Sequence, residues 1–253
     1  MHTEHTIMSK LERIRVHIAP LGFEVDRIVL PAKKMKADKV WIIQEIKPEK
    51  EIAKPYREEI LKKLKKAGMQ TEIFETDRKD VFKILKSVKE IFNMEQKNDI
   101  FVNVSSGSKI QSIACMMACM MFHKYNAIPF YAEPEAYPAT FGKTQSTGLK
   151  NLIELPQYEI LTPKTELVKA LNIIKQHNGR ITKKEMAKIA QESKLITVTA
   201  REENLDQARY ASLETNIIQP LSEQWNFVEV EKIGRTRWIK LTEEGSNAIE
   251  FLL

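Results

Sequence analysis

The sequence has few of the residues from which disulfide frameworks and metal centres are built. Only two cysteines occur in 253 residues, Cys115 and Cys119, and both lie in an apolar run with helical spacing. The five histidines, at positions 2, 5, 17, 123 and 177, are scattered without a metal-ligand spacing. We therefore expect buried thiols in a reducing environment, with no disulfide, metal or other cofactor.

Long hydrophobic runs are also absent. The longest, Ile113 to Phe122, is too short to span a bilayer. The N-terminus does not resemble a secretory signal, so we expect a cytoplasmic protein with no membrane partner. If the run from Ile113 to Phe122 forms a helix, its apolar surface must be covered on every side. Two interpretations stay open: the helix is buried in the core, or it forms part of a dimer interface.

Charge of one sign is only slightly in excess. The net charge is +6, and 43% of the residues are hydrophobic, which is typical of a soluble globular chain. Residues 161–253 hold 14 basic and 13 acidic side chains, a net charge of +1. Any nucleic-acid site in the second half must therefore depend on local basic patches.

The first half alternates between strand-like and helical segments. Five apolar strands are separated by amphipathic helices, and "GLKNLIELP" could add an edge strand. The second segment has helical spacing, with Pro31 expected to kink or break it. This rhythm predicts an α/β fold over residues 1–155, a Rossmann-like domain with a mainly parallel sheet. Such sheets bind ligands beyond the carboxyl ends of their strands.

After a proline-containing linker at 156–163, residues 164–253 have a different pattern. Three helices precede a strand–turn–strand segment with a basic tip, which predicts a winged helix-turn-helix domain that binds double-stranded DNA. The third helix, predicted over 205–224, would enter the major groove. The candidate DNA-binding residues are Gln207, Arg209, Tyr210 and Ser212 on this helix, with Arg235 and Arg237 on the wing. The nearly neutral charge leaves open a winged helix that binds a protein instead.

The stretch Ser105-Ser106-Gly107-Ser108-Lys109 follows the fourth strand and opens a helix. Small residues let backbone N–H groups approach an anion, and the helix N-terminus and Lys109 add positive charge. The spacing is neither a P-loop nor a G-x-G-x-x-G dinucleotide motif. From local chemistry alone, a phosphate site and a polar turn capped by Ser108 both remain open.

Two segments carry a family resemblance. "NVSSGSK", from Asn103 to Lys109, resembles the Asn-x-Thr-Gly-Gly-Thr-Lys signature of CARF domains, the CRISPR-associated Rossmann fold. "IAPLGFEVDRI", from Ile18 to Ile28, is similar to the family's other signature loop, after the first strand. With the predicted wing, the whole chain resembles archaeal CARF–winged-helix transcriptional regulators. Ser106 departs from the pattern, which has glycine there.

The resemblance implies a homodimer that binds a cyclic oligoadenylate across its two-fold axis and regulates transcription at a palindromic operator. Carried over to this sequence, the ligand-binding residues are Leu21, Gly22, Phe23, Ser105, Ser106, Gly107, Ser108 and Lys109.

Two alternatives to a ligand-responsive regulator stay open. The first is an enzyme, a metal-independent ring nuclease in which Ser106, Ser108 and Lys109 stabilise the charge of the transition state. No general base for this reaction is evident in the sequence. The second is a regulator whose Rossmann half has lost its ligand and serves only for dimerisation.

Overall fold

The structure is a computed structural model that describes residues 13–47, 52–138 and 145–253. The chain divides into two compact units, Met1–Ile160 and Leu161–Leu253. Two of the scattered histidines, His2 and His5, lie outside the described residues. None of the helices in the described ranges is long and apolar enough to cross a bilayer.

The N-terminal unit alternates strands and helices, which confirms the predicted α/β class. In chain order these are β1 (Arg15–Pro20), α1 (Asp26–Lys34), β2 (Lys39–Glu45), α2 (Lys54–Lys66), β3 (Gln70–Thr76), α3 (Val81–Met94), β4 (Asp99–Asn103), α4 (Lys109–Met121), a 3₁₀ turn (His123–Tyr125), β5 (Ile128–Glu133) and β6 (Asn151–Glu154). The sheet order is β3-β2-β1-β4-β5-β6. Strands β1 to β5 are parallel, and β6 is the antiparallel edge strand.

The strand order places the site. Strands β1 and β2 are almost wholly buried because helices cover both faces of the sheet, while the edge strand β3 is more exposed. After β1 the chain moves through β2 and β3 to one side, and it returns through β4 to the other. The carboxyl ends of β1 and β4 therefore flank the switch in strand order, where such sheets bind ligands.

Helix α1 continues through Pro31, where the sequence predicts a kink or a break. Proline has no N–H, so the carbonyl of Arg27, four residues earlier, loses its helical donor. The side-chain amide of Asn103 donates to that carbonyl instead, at 2.7 Å. A long-range hydrogen bond from the end of β4 thus replaces the missing one and ties α1 to the signature loop.

The C-terminal unit is a winged helix, as predicted. Its elements are α5 (Thr165–Gln176), β7 (Arg180–Thr182), α6 (Lys183–Glu192), a 3₁₀ turn (Glu202–Asn204), α7 (Leu205–Leu213), β8 (Val228–Ile233), β9 (Thr236–Leu241) and α8 (Glu243–Leu252). The small antiparallel sheet has the order β7-β9-β8. Its core is aliphatic, and every helix of the unit contributes to it.

The third helix of this unit spans the predicted residues 205–224, but its second half is π-helical. Regular α-helix ends at Leu213, and π-helical turns follow over Glu214–Ile218 and Pro220–Gln224. Pro220 cannot donate a backbone hydrogen bond, and the side chain of Asn216 donates to the carbonyl of Ser212 at 2.9 Å. These two residues account for the wider turns.

Candidate functional site

The two signature loops touch through their glycines at the switch point. A Cβ atom added to Gly22 would lie 2.7 Å from the backbone nitrogen of Gly107, closer than real contacts allow. Gly107 has φ +79°, and a Cβ atom there would lie 2.5 Å from Cβ of Pro20. Both positions therefore require glycine. The contact joins the end of β1 to the start of α4 and makes the two loops one surface.

This surface presents unused donors. Within the described residues, the backbone N–H groups of Gly22, Phe23, Ser106 and Gly107 have no acceptor. The N-terminus of α4 begins beside them, and the exposed ammonium group of Lys109 pairs with no carboxylate of the described chain. Free N–H groups, a helix N-terminus and a lysine together favour an anion.

A buried network fixes the loop after β4. Asn103 is fully buried, and its side-chain oxygen accepts from the backbone N–H of Ser105 at 2.9 Å and from its hydroxyl at 2.5 Å. The Ser105 hydroxyl accepts from the N–H of Ala132 at 3.1 Å. On α1, the guanidinium group of Arg27 donates to the Ser105 carbonyl at 2.8 Å. Sequence reasoning gave neither Asn103 nor Arg27 a role of its own.

The three serines of the loop have different environments. Ser105 is buried in that network, whereas the Ser106 hydroxyl is fully buried and has no partner among the described residues. Ser108 caps α4 in a capping box with Gln111, which is the cap that the polar-turn interpretation expects. No histidine or carboxylate of the described residues hydrogen-bonds to Ser106 or Ser108. Within the same ranges, no three metal-ligating side chains come together.

The first loop contributes mainly backbone. Leu21 is buried in the core, and its N–H donates to the Ile43 carbonyl at 2.8 Å, which holds the loop against β2. Phe23 is half-buried, with its ring edge-on to Tyr56 at 5.5 Å between centroids. Leu21 and Phe23 therefore anchor the loop on each side of Gly22.

Helix α4 buries one face and exposes the other. Cys115 and Cys119 are buried, and burial raises the pKa of the Cys115 thiol to about 12. On the other face, the side chains of Ile110 and Ile113 are exposed, the latter at 58%. These two residues form an apolar patch that begins directly after Lys109.

The wing carries two of the candidate DNA-binding residues at its tip. Cross-strand pairing of Ile233 with Thr236 leaves a two-residue turn, Gly234-Arg235, and Gly234 has φ +59°, as a type II′ turn requires. Arg235 and Arg237 are exposed and pair with no carboxylate of the described chain. By contrast, the ammonium group of Lys240 lies 3.0 Å from the carboxylate of Glu229. The hydrogen bond to Glu229 raises the pKa of Lys240, and the charge of Lys240 is paired within the domain.

The four candidates on α7 differ in availability. Gln207 is exposed, and Tyr210 packs partly against the domain core. Arg209 hydrogen-bonds to the Gln191 side chain on α6 and pairs with Asp206 at 3.1 Å. The Ser212 hydroxyl donates to the Thr197 carbonyl at 3.3 Å. Two of the four side chains are thus engaged inside the domain.

A cleft joins the wing to the helices. Tyr210 from α7, Arg235 and Arg237 from the wing, and Lys184 from the first turn of α6 line the same cleft. Lys184 is exposed and has no ion pair among the described residues. The sequence contains no local signal for Lys184, because its proximity to the wing depends on the fold.

Two family models match the chain, one in each unit. Residues 15–137 match the model described as "HFX_2341_N:-like, N-terminal". Residues 166–252 match the DUF6293 C-terminal winged helix domain. Among curated proteins, the chain is 32% identical over 213 residues to the uncharacterized protein MJ1513 of Methanocaldococcus jannaschii. This match covers 72% of the chain and 63% of that protein.

Solved structures with a similar arrangement are distant in sequence. One is Can2 from Sulfobacillus thermosulfidooxidans in complex with cyclic tetra-adenylate, with 12% identity and a TM-score of 0.40, covering 94% of this chain and 63% of that one. Another is protein VC1899 from Vibrio cholerae, with 13% identity and a TM-score of 0.41, covering 94% of this chain and 64% of that one. The chain thus spans a little under two thirds of the length of these relatives.

The two family matches and the fold agree on the order of domains. An N-terminal Rossmann-like domain is followed by a winged helix domain, as the two signature loops and the basic hairpin predict. The predicted combination of a Rossmann-like domain with a winged helix domain is confirmed.

Proposed function

We propose that the chain is a dimeric, ligand-responsive DNA-binding transcriptional regulator, in which a CARF-like Rossmann domain is joined to a winged helix domain. Its ligand is a cyclic oligoadenylate. The observation that carries the proposal is the contact between Gly22 and Gly107, which unites both signature loops at the sheet's switch point. Free N–H groups there, with Lys109 beside them, suit the phosphates of such a ring.

The dimer is formed by a second copy of the chain packed on the exposed patch of α4. Ile110 and Ile113 form that patch, and it is continuous with the anion-binding surface at Lys109. A two-fold axis near this patch brings two copies of the loops and of Lys109 to one symmetric ligand. This arrangement supports a ring-shaped ligand with repeated phosphates.

The winged helix binds DNA through its wing and its cleft. Arg235 and Arg237 at the tip and Lys184 at the start of α6 contact phosphates, while Gln207 faces the base edges. Regulation requires that the ligand bind one dimer geometry more tightly than another, because only such a difference can shift DNA affinity.

Loss of the Lys109 ammonium group should weaken ligand binding. We expect Lys109→Ala to raise the dissociation constant for cyclic tetra-adenylate at least about tenfold, since a charge-assisted bond contributes roughly 1.5–3 kcal/mol. Calorimetric titration of the purified chain measures this change. Lys65→Ala, which removes an exposed lysine on α2, is the matched control.

The same titrations test the proposed function itself. Absence of binding to cyclic adenylate rings of every size by the wild-type chain would contradict the proposal and favour a Rossmann unit that serves only for dimerisation. Chromatography of the recovered ligand shows whether the ring is intact. Linear product that disappears in Lys109→Ala would favour the ring nuclease instead.

The wing arginines should contribute both affinity and salt dependence. We expect Arg235→Ala with Arg237→Ala to weaken DNA binding and to lower the salt slope by about 0.9 for each phosphate that the variant no longer neutralises. Fluorescence anisotropy with labelled duplex at several salt concentrations measures both quantities. Lys164→Ala with Lys169→Ala removes equal charge from exposed positions at the start of α5. A slope unchanged in the arginine variant would rule out the wing as a phosphate-binding element.

A further inference from the structure

A buried arginine connects the loop after β4 to an exposed tyrosine. Arg27 is 8% exposed, and one of its terminal nitrogens donates to the Ser105 carbonyl at 2.8 Å. The other donates to the hydroxyl groups of Tyr131 at 3.0 Å and Tyr137 at 2.8 Å. Glu24 lies 3.4 Å from the same guanidinium group and balances its charge. The guanidinium group of Arg27 therefore binds the Ser105 carbonyl and the Tyr137 hydroxyl at the same time.

The tyrosine ring is exposed although its hydroxyl is fixed. Tyr137 is 64% exposed, yet its hydroxyl accepts from Arg27 and lies 3.4 Å from the hydroxyl of Tyr131. The guanidinium carbon lies 5.7 Å from the ring centroid. Arg27 therefore approaches the ring from one side and holds its hydroxyl, while most of the side chain remains exposed. An aromatic ring held in one orientation loses little entropy when another ring packs on it.

Arg27 links the ring to the anion-binding surface. The Ser105 carbonyl, which Arg27 also holds, is directly followed in the chain by the free N–H groups of Ser106 and Gly107. In a nucleotide, a base and its phosphate are separated only by the sugar, so a base-binding group must lie close to a phosphate-binding loop. Tyr137 meets this requirement.

We propose that Tyr137 is a base-stacking residue for a nucleobase of the ligand, with Arg27 as the residue that positions it. The inference rests on the proposed nucleotide ligand and adds a site for its base. Stacking on an aromatic side chain contributes to nucleic-acid binding for any base. Adenine has a larger ring system than uracil and covers more of the tyrosine face, so the ring favours adenylates.

Titration of the full chain with cyclic tetra-adenylate and with cyclic tetra-uridylate tests this site. We expect Tyr137→Leu to weaken adenylate binding by about tenfold to a hundredfold and uridylate binding by less. Tyr137→Phe keeps the ring but removes the hydroxyl that Arg27 holds, so we expect an adenylate affinity between those of the wild type and Tyr137→Leu. Tyr158→Leu, which removes another exposed tyrosine ring, should leave both affinities unchanged.

The base preference separates stacking from a structural role. If Tyr137→Leu binds adenylate as the wild type does, or binds both ligands more weakly by the same factor, the inference is overturned. Failure of the wild-type chain to bind either ring would overturn the proposed function, and the inference with it. Melting curves check that each variant is folded, which we expect because the Tyr137 ring is exposed.

Discussion

Acidification from pH 7.5 to pH 5 should lower the free energy of unfolding by about 2 kcal/mol through His17 alone. His17 lies in the middle of β1, fully buried, with Val40 and Phe101 as its neighbours on the adjoining strands. In the part of the chain that the structure describes, neither ring nitrogen has a hydrogen-bond partner. Burial without a partner disfavours the imidazolium ion and lowers the pKa of His17 to about 3.

The direction of the effect follows from proton binding. Between the folded pKa of about 3 and the ordinary value of 6.5, the unfolded chain binds a proton at His17 that the folded chain does not. Stability is therefore complete above pH 6.5 and is lost as the pH falls toward 3. Glu95 adds a further loss of stability at lower pH. Burial alone would raise the pKa of Glu95, but hydrogen bonds from Lys39, Trp41 and Asn98 outweigh this effect and lower the pKa. The folded state therefore loses this stabilisation as the pH falls below the ordinary value of 4.5.

Urea unfolding between pH 7.5 and pH 5 isolates the contribution of His17. We expect His17→Leu to remove most of the pH dependence, because an apolar side chain of similar size needs neither a proton nor a partner. His123→Gln, at an exposed position, should leave the dependence unchanged. Equal slopes for the wild type and His17→Leu would contradict the assignment.

Asn103→Ala should destabilise the N-terminal unit by about 3 kcal/mol. The substitution removes one donated and two accepted hydrogen bonds, and it leaves the Arg27 carbonyl and the Ser105 N–H buried without partners. Each unsatisfied buried group costs about 1–3 kcal/mol. Chemical denaturation measures the loss, and Asn151→Ala at the exposed sheet edge is the control. A change below about 1 kcal/mol would contradict this account.

Pro31 makes the test more specific. Pro31→Ala supplies the missing N–H of α1, which can donate to the Arg27 carbonyl in place of Asn103. We therefore expect Asn103→Ala to cost less in the Pro31→Ala background than in the wild type. A double-mutant cycle measures this coupling, and strict additivity would show that the carbonyl is satisfied in another way.

Short-range pattern is sufficient for the elements and their class. The alternation of apolar strands with helices predicts the Rossmann-like unit. The Ser108 cap and the basic hairpin can also be read from the sequence, because each depends on neighbouring residues. Of the kink or break expected at Pro31, the break does not occur, because Asn103, which is distant in the chain, replaces the missing hydrogen bond. The third helix occupies the predicted residues 205–224, but apolar spacing does not indicate the π-helical turns of its second half, where Asn216 and Pro220 lie.

The sequence by itself determined the loop after β4 as a candidate site, because its small residues and Lys109 are adjacent in the chain, and the family resemblance added the loop after β1. Tertiary structure alone decided how these loops are held. It brought Gly22 against Gly107, fixed the Ser105 carbonyl with Arg27, and placed Tyr137 beside it. The tertiary structure also brings Arg209 into a hydrogen bond with Gln191 and places Lys184 in the lining of the wing cleft. These contacts join residues far apart in sequence, and strand order and packing determine them, since no local spacing encodes which distant residues meet.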